Sequence, residues 1–268
     1  MWEGFVNHLL ACGRGEPARH IVIEGARYEL RRVLKHDFFA ATALYEIKGR
    51  STKQKRGKIV LKTQRQRHFL GIPLSWLGRY LCCREVSILQ RLGGLEGVPH
   101  LVCRYGRAGF VYEYIEGQSF EEQPELPDGF FDQLLDLLKQ VHQHKVLYLD
   151  MNKRGNILVG FDGRPYLIDF QISLYIGEDS LLPRRLSQHL RQTLQAADLY
   201  HLYKHKRRLC PDRLRTDEKS ISLALSSPIR AHRMIATPLR KLRRAFLKAV
   251  LQKVAATDEK DDTTVGAK

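Results

Sequence analysis

The chain has 268 residues, of which 45 are Lys or Arg and 29 are Asp or Glu, so its formal net charge is +16. This length suits one two-lobed domain or two small ones, and a hydrophobic content of 43% is enough for a sizeable core and excludes wholesale disorder. The positive charge predicts attraction to an anionic partner: nucleic acid, an acidic membrane surface or a phosphorylated substrate.

The sequence predicts neither a membrane-spanning nor a secreted protein. No apolar run approaches the length of a transmembrane helix, and the N-terminus has no basic leader ahead of an apolar stretch. The five cysteines form no CxxC pair, their number is odd, and no His cluster lies beside them at the spacing of zinc ligands. We therefore expect free thiols in a reducing cytoplasm.

The first part of the chain has the pattern of a β-rich lobe. Residues 21–63 alternate and turn as strands do, and a basic stretch bounded by glycines at 49–57 is typical of a hairpin loop. The next segment, 69–81, is apolar but interrupted by Gly and Pro, and we expect its Trp76 to pack against this lobe. The other predicted elements are strands at 41–47, 58–63, 100–103 and 109–114 and a helix at 84–92.

Helical patterns dominate after Gly117. An acidic segment with two prolines, 121–128, is typical of a linker that leaves a hinge. Residues 130–144 are predicted to form a helix, because apolar residues recur there at three- and four-residue steps. The elements predicted to follow are a polar loop at 147–159, a strand at 166–170 and a helix at 186–205.

The residues that indicate chemistry lie in this loop and the strand after it. They are an acid on the loop, Asp150, an amide near a strand start, Asn156, and a second acid after an apolar pair, Asp169. Phosphoryl transfer needs such groups, because one carboxylate positions the acceptor hydroxyl and takes its proton while an amide and another carboxylate bind Mg²⁺. Alone, Asp150 or Asn156 would be equally typical of a turn.

The order of these residues resembles the protein-kinase-like superfamily, whose catalytic loop reads His-Arg-Asp with a downstream Asn and is followed by Asp-Phe-Gly. The Asp-Met-Asn and Ile-Asp-Phe sequences are most similar to those of bacterial lipopolysaccharide-core (Kdo/heptose) kinases and RIO-type kinases. The resemblance covers residues 28–205. It implies an α+β, bilobal protein-kinase-like fold with a β-rich N-lobe, an abbreviated helical C-lobe and a basic C-terminal helical extension.

The resemblance also implies roles for residues of the second lobe. Asp150 matches the catalytic Asp, and Lys153 is expected to reach the transferred phosphate. Asn156 and Asp169 match the residues that hold Mg²⁺. ATP and Mg²⁺ are therefore the expected cofactors.

Residues of the first lobe follow in the order that this resemblance requires. Lys62 ends an apolar strand and is implied to bind the nucleotide phosphates, with Glu85 as its ion-pair partner. Glu113, Tyr114 and Ile115 resemble the hinge whose backbone binds the adenine. Taken singly, Lys62 could be a solvated strand residue and Glu85 a surface acid near a helix start.

Several positions depart from the kinase pattern. The segment at 35–41 has no glycine, so its backbone amides would approach phosphates without the conformational freedom of that residue. Tyr148 replaces the His of the catalytic loop, Asn156 lies one residue farther from the catalytic Asp than usual, and Gln171 replaces the Gly of the second motif. No Ala-Pro-Glu sequence follows, so the segment that docks peptides in protein kinases is not recognisable.

Charge and composition indicate how the chain is divided. The stretches 47–84 and 219–257 contain Lys and Arg but no acid. In the second stretch apolar residues share a helical face, which favours a basic amphipathic helix on an anionic bilayer; no nucleic-acid-binding module is recognisable. The predicted segments are an N-terminal extension (1–27), an N-lobe (28–117), a C-lobe (118–215) and a basic C-terminal extension (216–268).

These observations predict an ATP- and Mg²⁺-dependent kinase in the cytoplasm, at the inner face of the membrane if the basic extension binds lipid. The resemblance implies that the acceptor is a hydroxyl group of a glycolipid sugar, as in lipopolysaccharide, with a Ser or Thr of a protein as the alternative. Two other classes stay open. One is a pseudokinase that binds without turnover, and the other is a nucleic-acid-associated protein that uses its charge alone.

Overall fold

The computed structural model describes residues 10–12, 17–48, 56–68, 73–122, 125–180 and 183–223. Within these residues a six-stranded antiparallel sheet is followed by a mainly helical part. The order across the sheet is β1-β2-β3-β4-β6-β5. The strands are β1 (His20–Ile23), β2 (Ala26–His36), β3 (Ala40–Ile47), β4 (Lys58–Gln64), β5 (Leu101–Tyr105) and β6 (Gly109–Glu113).

The sheet forms where apolar and β-branched residues were expected to alternate. The strands predicted at 41–47, 58–63, 100–103 and 109–114 are confirmed as β3 to β6. One face is buried in a small core that includes Tyr45, Ile59 and Val111. The sheet also contains β1, which precedes residue 28, while the segment boundaries at 28, 118 and 216 stay predictions.

The first described helix, α1 (Ser75–Arg91), is longer than predicted. The helix at 84–92 was expected to follow a broken apolar segment, but that segment supplies its first turns. Gly78 does not interrupt the helix, because its role is close packing: a Cβ atom there would lie 1.9 Å from the carbonyl oxygen of Arg65. The predicted packing of Trp76 is wrong, since this side chain on α1 is 60% exposed.

Gly78→Ala is expected to lower the free energy of unfolding by about 2 kcal/mol, because the methyl group would push α1 away from the Arg65 backbone. The preference of helices for Ala over Gly, about 1 kcal/mol, acts in the opposite direction and is too small to compensate. Urea unfolding measures the difference, with Gly57→Ala as control because its Cβ meets nothing within 4 Å. Equal midpoints for the two variants would contradict this packing.

The second lobe is built on helices, with two small sheets at its junction with the first. The predicted helices at 130–144 and 186–205 are confirmed, the latter extended at both ends. The helices are α2 (Phe130–Gln143), α3 (Arg184–Leu209) and α4 (Thr216–Leu223). The small sheets consist of β7 (Gly117–Ser119), β9 (Ile157–Gly160) and β10 (Pro165–Leu167), and of β8 (Val146–Leu147) and β11 (Leu174–Tyr175).

A single apolar core connects the lobes. Val86 and Leu89 of α1 belong to the same buried cluster as Leu134 and Leu138 of α2 and as Phe170. The apolar stripe that predicted α2 is therefore the side of the helix that faces this core. Because α1 packs into a core shared with the second lobe, its Glu85 is held at a defined position between the lobes.

Part of the predicted organisation lies outside the described residues. This holds for residues 224–268, which contain the proposed basic amphipathic helix, and for most of the loop at 49–57. Among the described helices, none combines the length and the apolar character needed to cross a bilayer.

Candidate active site

Lys62 lies at the centre of a buried ion-pair cluster between the lobes. Its Nζ atom is 2.8 Å from Oε1 of Glu85 and 2.7 Å from Oδ1 of Asp169. The side chains of Lys62 and Glu85 are 6% and 3% exposed, and Gln64 donates a further hydrogen bond of 3.1 Å to Glu85. The predicted pair between Lys62 and Glu85 is present, and Asp169 joins it from a position 107 residues later.

Burial and charge act in opposite directions in this cluster. Burial alone would lower the pKa of Lys62, but the carboxylates of Glu85 and Asp169 raise it above the ordinary value. Burial likewise favours a raised pKa for Asp169, and the ammonium of Lys62 outweighs it, so that the pKa of this carboxyl is lowered. Lys62 is therefore a permanent cation, and Asp169 is a carboxylate available to a metal ion.

Asp150 is held by two neighbours in the catalytic loop. Its Oδ2 atom accepts hydrogen bonds from Nζ of Lys153 at 2.5 Å and from Nδ2 of Asn156 at 2.7 Å. The extra residue between Asp150 and Asn156 is accommodated by a 3₁₀ turn over Arg154–Asn156, so the amide still reaches the carboxylate. Both of these contacts are made by Oδ2.

The pKa of Asp150 is raised. Burial is the main cause, and the hydrogen bond and charge of Lys153 oppose it. A carboxylate with a raised pKa is a better proton acceptor, as a general base requires.

Tyr148 connects the catalytic loop to the segment that carries Asp169. Its buried hydroxyl donates to the carbonyl oxygen of Ile168 at 2.5 Å and lies 3.1 Å from that of Asn156, and its ring packs edge-on against Phe170. Burial, followed by the nearby carboxylates, raises the pKa of Tyr148 well above its ordinary value, so the phenol is a neutral donor. The tyrosine thus has a structural function in the position of the kinase His.

Asp169 is not part of a strand, which corrects the prediction for 166–170. Strand β10 ends at Leu167, Ile168 donates its N–H to the carbonyl of Asn156 at 3.0 Å, and Asp169 adopts a left-handed conformation with φ of 60°. A 3₁₀ turn over Phe170–Ile172 follows. This reversal of the chain directs the carboxylate towards Lys62.

Helix α3 supports the catalytic loop through Asp198, a residue that the sequence did not single out. Its side chain is 1% exposed and accepts hydrogen bonds from the backbone N–H groups of Tyr148 at 3.0 Å and Leu149 at 2.8 Å. His142 of α2 bonds the same carboxylate at 2.9 Å. A recognisable signal did exist, since Asp198 is the one acid in the 26 residues of this basic helix.

Two more residues of α3 hold the loop farther along. The buried imidazole of His205 bonds the carbonyl oxygen of Met151 through Nε2 at 2.9 Å, and Lys204 donates to the side chain of Asn152 at 3.1 Å. Because a carbonyl oxygen can only accept a hydrogen bond, Nε2 is the ring nitrogen that carries the hydrogen, and Nδ1, which is buried without a partner, does not. Burial lowers the pKa of His205 to about 4.

His205→Gln is expected to reduce the acid sensitivity of the fold. Above pH 6.5 the ring is neutral in both states, and below it only the unfolded chain takes up the proton, so stability is lost as the pH falls towards the folded pKa of about 4. In urea unfolding the loss from pH 7.5 to pH 5 should be smaller in this variant by about 2 kcal/mol. His144→Gln, an exposed histidine, is the control, and equal acid sensitivity in both variants would contradict the assignment.

In the segment at 35–41, which stands in place of a glycine loop, a side chain accepts hydrogen bonds from the segment's own backbone N–H groups. Oδ1 of Asp37 accepts hydrogen bonds from the N–H groups of Phe39 at 2.8 Å and Ala40 at 3.0 Å. The expectation that its amides approach phosphates is therefore wrong for these two. Instead Lys35 places its ammonium 3.0 Å from Asp37 and 3.9 Å from Asp169.

Two of the three backbone N–H groups at the predicted hinge already donate hydrogen bonds within the protein. Glu113 donates its N–H to His100 at 2.9 Å, and Tyr114 donates to Lys58 at 3.4 Å. In the described part of the chain the N–H of Ile115 has no such partner. Of the three predicted residues, Ile115 is thus the one whose amide can bind an adenine ring.

The cavity at the hinge does not coincide with the ionic cluster. It has a volume of about 890 Å³ and is lined by Glu113–Glu116, the loop after α1 and the outer side of α2. None of Lys62, Asp150, Asn156 or Asp169 lines it. We therefore define the candidate site by the converging side chains and not by the volume of this cavity.

The donor chemistry of the site fits Mg²⁺. This ion prefers oxygen ligands and binds in phosphoryl-transfer sites through one or two protein groups together with the phosphates. Asp169 offers a carboxylate, and Asn156 offers its amide oxygen, because its Nδ2 is the atom that faces Asp150. The backbone bond between Ile168 and Asn156 keeps the two potential ligands in adjacent segments.

No protein-family model and no curated protein matches the chain. Among solved structures it is similar to the Rio2 kinase–ADP/Mg²⁺–phosphoaspartate complex from Chaetomium thermophilum, with a TM-score of 0.53 and 16% identity over 85% of this chain and 72% of that chain. Another crystal structure of Rio2 kinase from the same organism has a TM-score of 0.48 and 16% identity, covering 68% of this chain and 60% of its own. Together with the sheet and helices described above, the first likeness shows that the chain has the protein-kinase fold.

Proposed function

We propose that the protein is a kinase that transfers the γ-phosphoryl group of ATP to a hydroxyl acceptor and requires Mg²⁺. The observation that carries this proposal is the convergence of Lys62, Glu85 and Asp169, which lie far apart in the sequence, at distances of 2.8 Å and 2.7 Å. A purely structural ion pair would not need the second carboxylate. A phosphate-binding lysine oriented by one acid beside a metal-binding acid explains all three.

The residues have distinct tasks in this mechanism. Lys62 would bind the nucleotide phosphates, while Asn156 and Asp169 would hold Mg²⁺, which offsets phosphate charge when bound. Asp150 would orient the acceptor hydroxyl and take its proton as the hydroxyl oxygen attacks the γ-phosphorus. The bond to the bridging oxygen then breaks and ADP leaves. Lys153, beside Asp150, would stabilise the transferred group.

The amide of Ile115 and the ammonium of Lys35 would complete the nucleotide site. The first is supported by the absence of another partner for this amide in the described residues, and the second by the position of Lys35 near Asp169. We assign the adenine to the hinge and the phosphates to the region near the ammonium groups of Lys35 and Lys62. In this arrangement a side-chain cation has the function that glycine-loop amides have elsewhere.

For the acceptor we propose a sugar hydroxyl, as in a lipopolysaccharide-type glycolipid, and for the location the cytoplasm, at the inner face of the membrane. The positive charge of +16 supports an anionic acceptor. A protein Ser or Thr is the alternative, which the likeness to a structure named Rio2 kinase favours. Binding without turnover is the second alternative, which the replaced glycine loop favours.

The test is Mg²⁺-dependent transfer from γ-labelled ATP by the purified full-length protein. Acceptors are the protein itself, membrane glycolipids, sugar phosphates and a mixture of Ser- and Thr-containing proteins. Asp150→Asn should lower transfer at least 100-fold, and Asp179→Asn, an exposed acid that lines neither the site nor the cavity at the hinge, should not. No transfer above the Asp150→Asn level to any acceptor would leave only the binding function.

A further inference from the structure

A pocket of about 570 Å³ lies directly beside the catalytic loop. Its lining includes Lys153, Arg154 and Asn156 from the loop and Lys204 and Arg208 from α3. Lys153 and Asn156 are also the two residues that contact the Asp150 carboxylate, at 2.5 Å and 2.7 Å. The pocket therefore adjoins the group to which we assign the acceptor hydroxyl.

This pocket carries an excess of positive charge. Four of its lining residues are cationic, and its one acid is Glu121. Lys153 is neutralised by Asp150, whereas in the described part of the chain Arg154 and Arg208 have no acidic partner. Cations that outnumber the acids around them repel one another, and a bound anion would relieve this repulsion.

The cations are held by the same contacts that hold the catalytic loop. Lys204 and Arg208 are one helical turn apart on α3. The buried His205 lies between them and bonds the loop at Met151. Arg154 begins the 3₁₀ turn that brings Asn156 to Asp150. Its charge and those of the two α3 cations act on the His205 ring, lowering the pKa of that histidine beyond the effect of burial.

We propose that this pocket binds a phosphate monoester group of the acceptor, and that the acceptor is a phosphorylated sugar. This inference rests on the proposed function, because it assigns the hydroxyl of the same molecule to Asp150. An anion site that adjoins the catalytic carboxylate requires a phosphate and a hydroxyl a few bonds apart, as in a sugar phosphate. The guanidinium groups of Arg154 and Arg208 match phosphate oxygens in geometry, and the volume suits a small ligand.

The probe is glucose 6-phosphate, titrated calorimetrically into the full-length protein at low ionic strength without nucleotide. Glucose is the neutral control. The wild type should bind the phosphate ester and not glucose, and Arg154→Ala/Arg208→Ala should bind it at least tenfold more weakly. Arg184→Ala/Arg185→Ala is the matched control, since it removes two exposed arginines from the far end of α3 and should bind as the wild type.

The proposal is overturned if the wild type does not bind glucose 6-phosphate, or if both double variants are weakened equally, which indicates non-specific charge. Flotation with phosphatidate vesicles distinguishes a lipid source: vesicle binding that needs Arg154 and Arg208, without binding of the soluble ester, also overturns it. A parallel titration with ATP separates the two proposals. If the protein binds the phosphate ester but does not bind ATP, the anion site is supported and the proposed kinase function is contradicted.

Discussion

Lys62→Met is expected to abolish phosphoryl transfer and to lower the free energy of unfolding by about 3–5 kcal/mol. The ammonium lies between Glu85 and Asp169 in a site where the Glu85 side chain is 3% exposed. Its removal leaves a buried carboxylate without its counter-charge, which is the most costly way to break a buried ion pair. Urea unfolding and turnover of labelled ATP measure the two effects separately.

The double variant Lys62→Met/Glu85→Met separates stability from function. It replaces the pair by apolar side chains of similar volume but leaves Asp169 without its counter-charge, so it should regain part of the lost stability and none of the activity. Lys58→Met is the control on the same strand, because its pair with Glu116 is exposed to solvent and contributes little to stability. A Lys62→Met variant as stable as Lys58→Met, or an active double variant, would contradict the proposed role of the cluster.

Asp198→Ala is expected to have the second largest effect. It removes the acceptor of two backbone N–H groups in the catalytic loop, those of Tyr148 and Leu149, and each buried donor left unpaired costs about 1–3 kcal/mol. Leu149 also has a positive φ of 64°, a conformation that is strained for this residue and needs such support. We therefore expect a loss of about 3 kcal/mol or more in the free energy of unfolding.

The same substitution should lower kcat at temperatures where the variant is still folded. Without Asp198 the loop can relax, and a displacement of about 1 Å of a catalytic group costs about 100-fold in rate. Asp198→Asn keeps one acceptor oxygen and should have an intermediate effect, while Asp179→Ala, at an exposed position away from the loop, should have none. An Asp198→Ala protein that is folded and has unchanged kcat would show that the loop is held by other contacts.

The predictable parts of the site are those that depend on local spacing. Three of the site residues lie in a short loop or directly after an apolar strand, namely Asp150, Asn156 and Asp169. Their order after Lys62 and Glu85 is that of the kinase pattern and can be recognised from the sequence. The strands and α2 followed from alternation and helical periodicity. Such elements can be predicted because alternation and helical periodicity depend only on residues that are close together in the chain.

The contacts that position the site were not predicted, because they join segments that are distant in the sequence. Asp198 and His205 belong to a segment that was predicted only as a helix, yet their side chains bond the catalytic loop. Gly78 was interpreted as a break, since nothing local indicates that the Arg65 backbone packs against α1. The capping of two amides by Asp37 likewise appears only when the turn is formed.

We propose that Lys62 and Asp169 converge around a Mg²⁺-bound nucleotide. Isothermal titration of ATP into the wild type and Asp169→Asn, with Mg²⁺ and with EDTA, tests it most directly. We expect the wild type to bind ATP at least tenfold more tightly with Mg²⁺, and the Asp169→Asn variant, once a cooperative unfolding transition shows that it is folded, to lose this Mg²⁺ dependence. Absence of ATP binding by the wild type, or equal Mg²⁺ dependence in both proteins, would contradict the account.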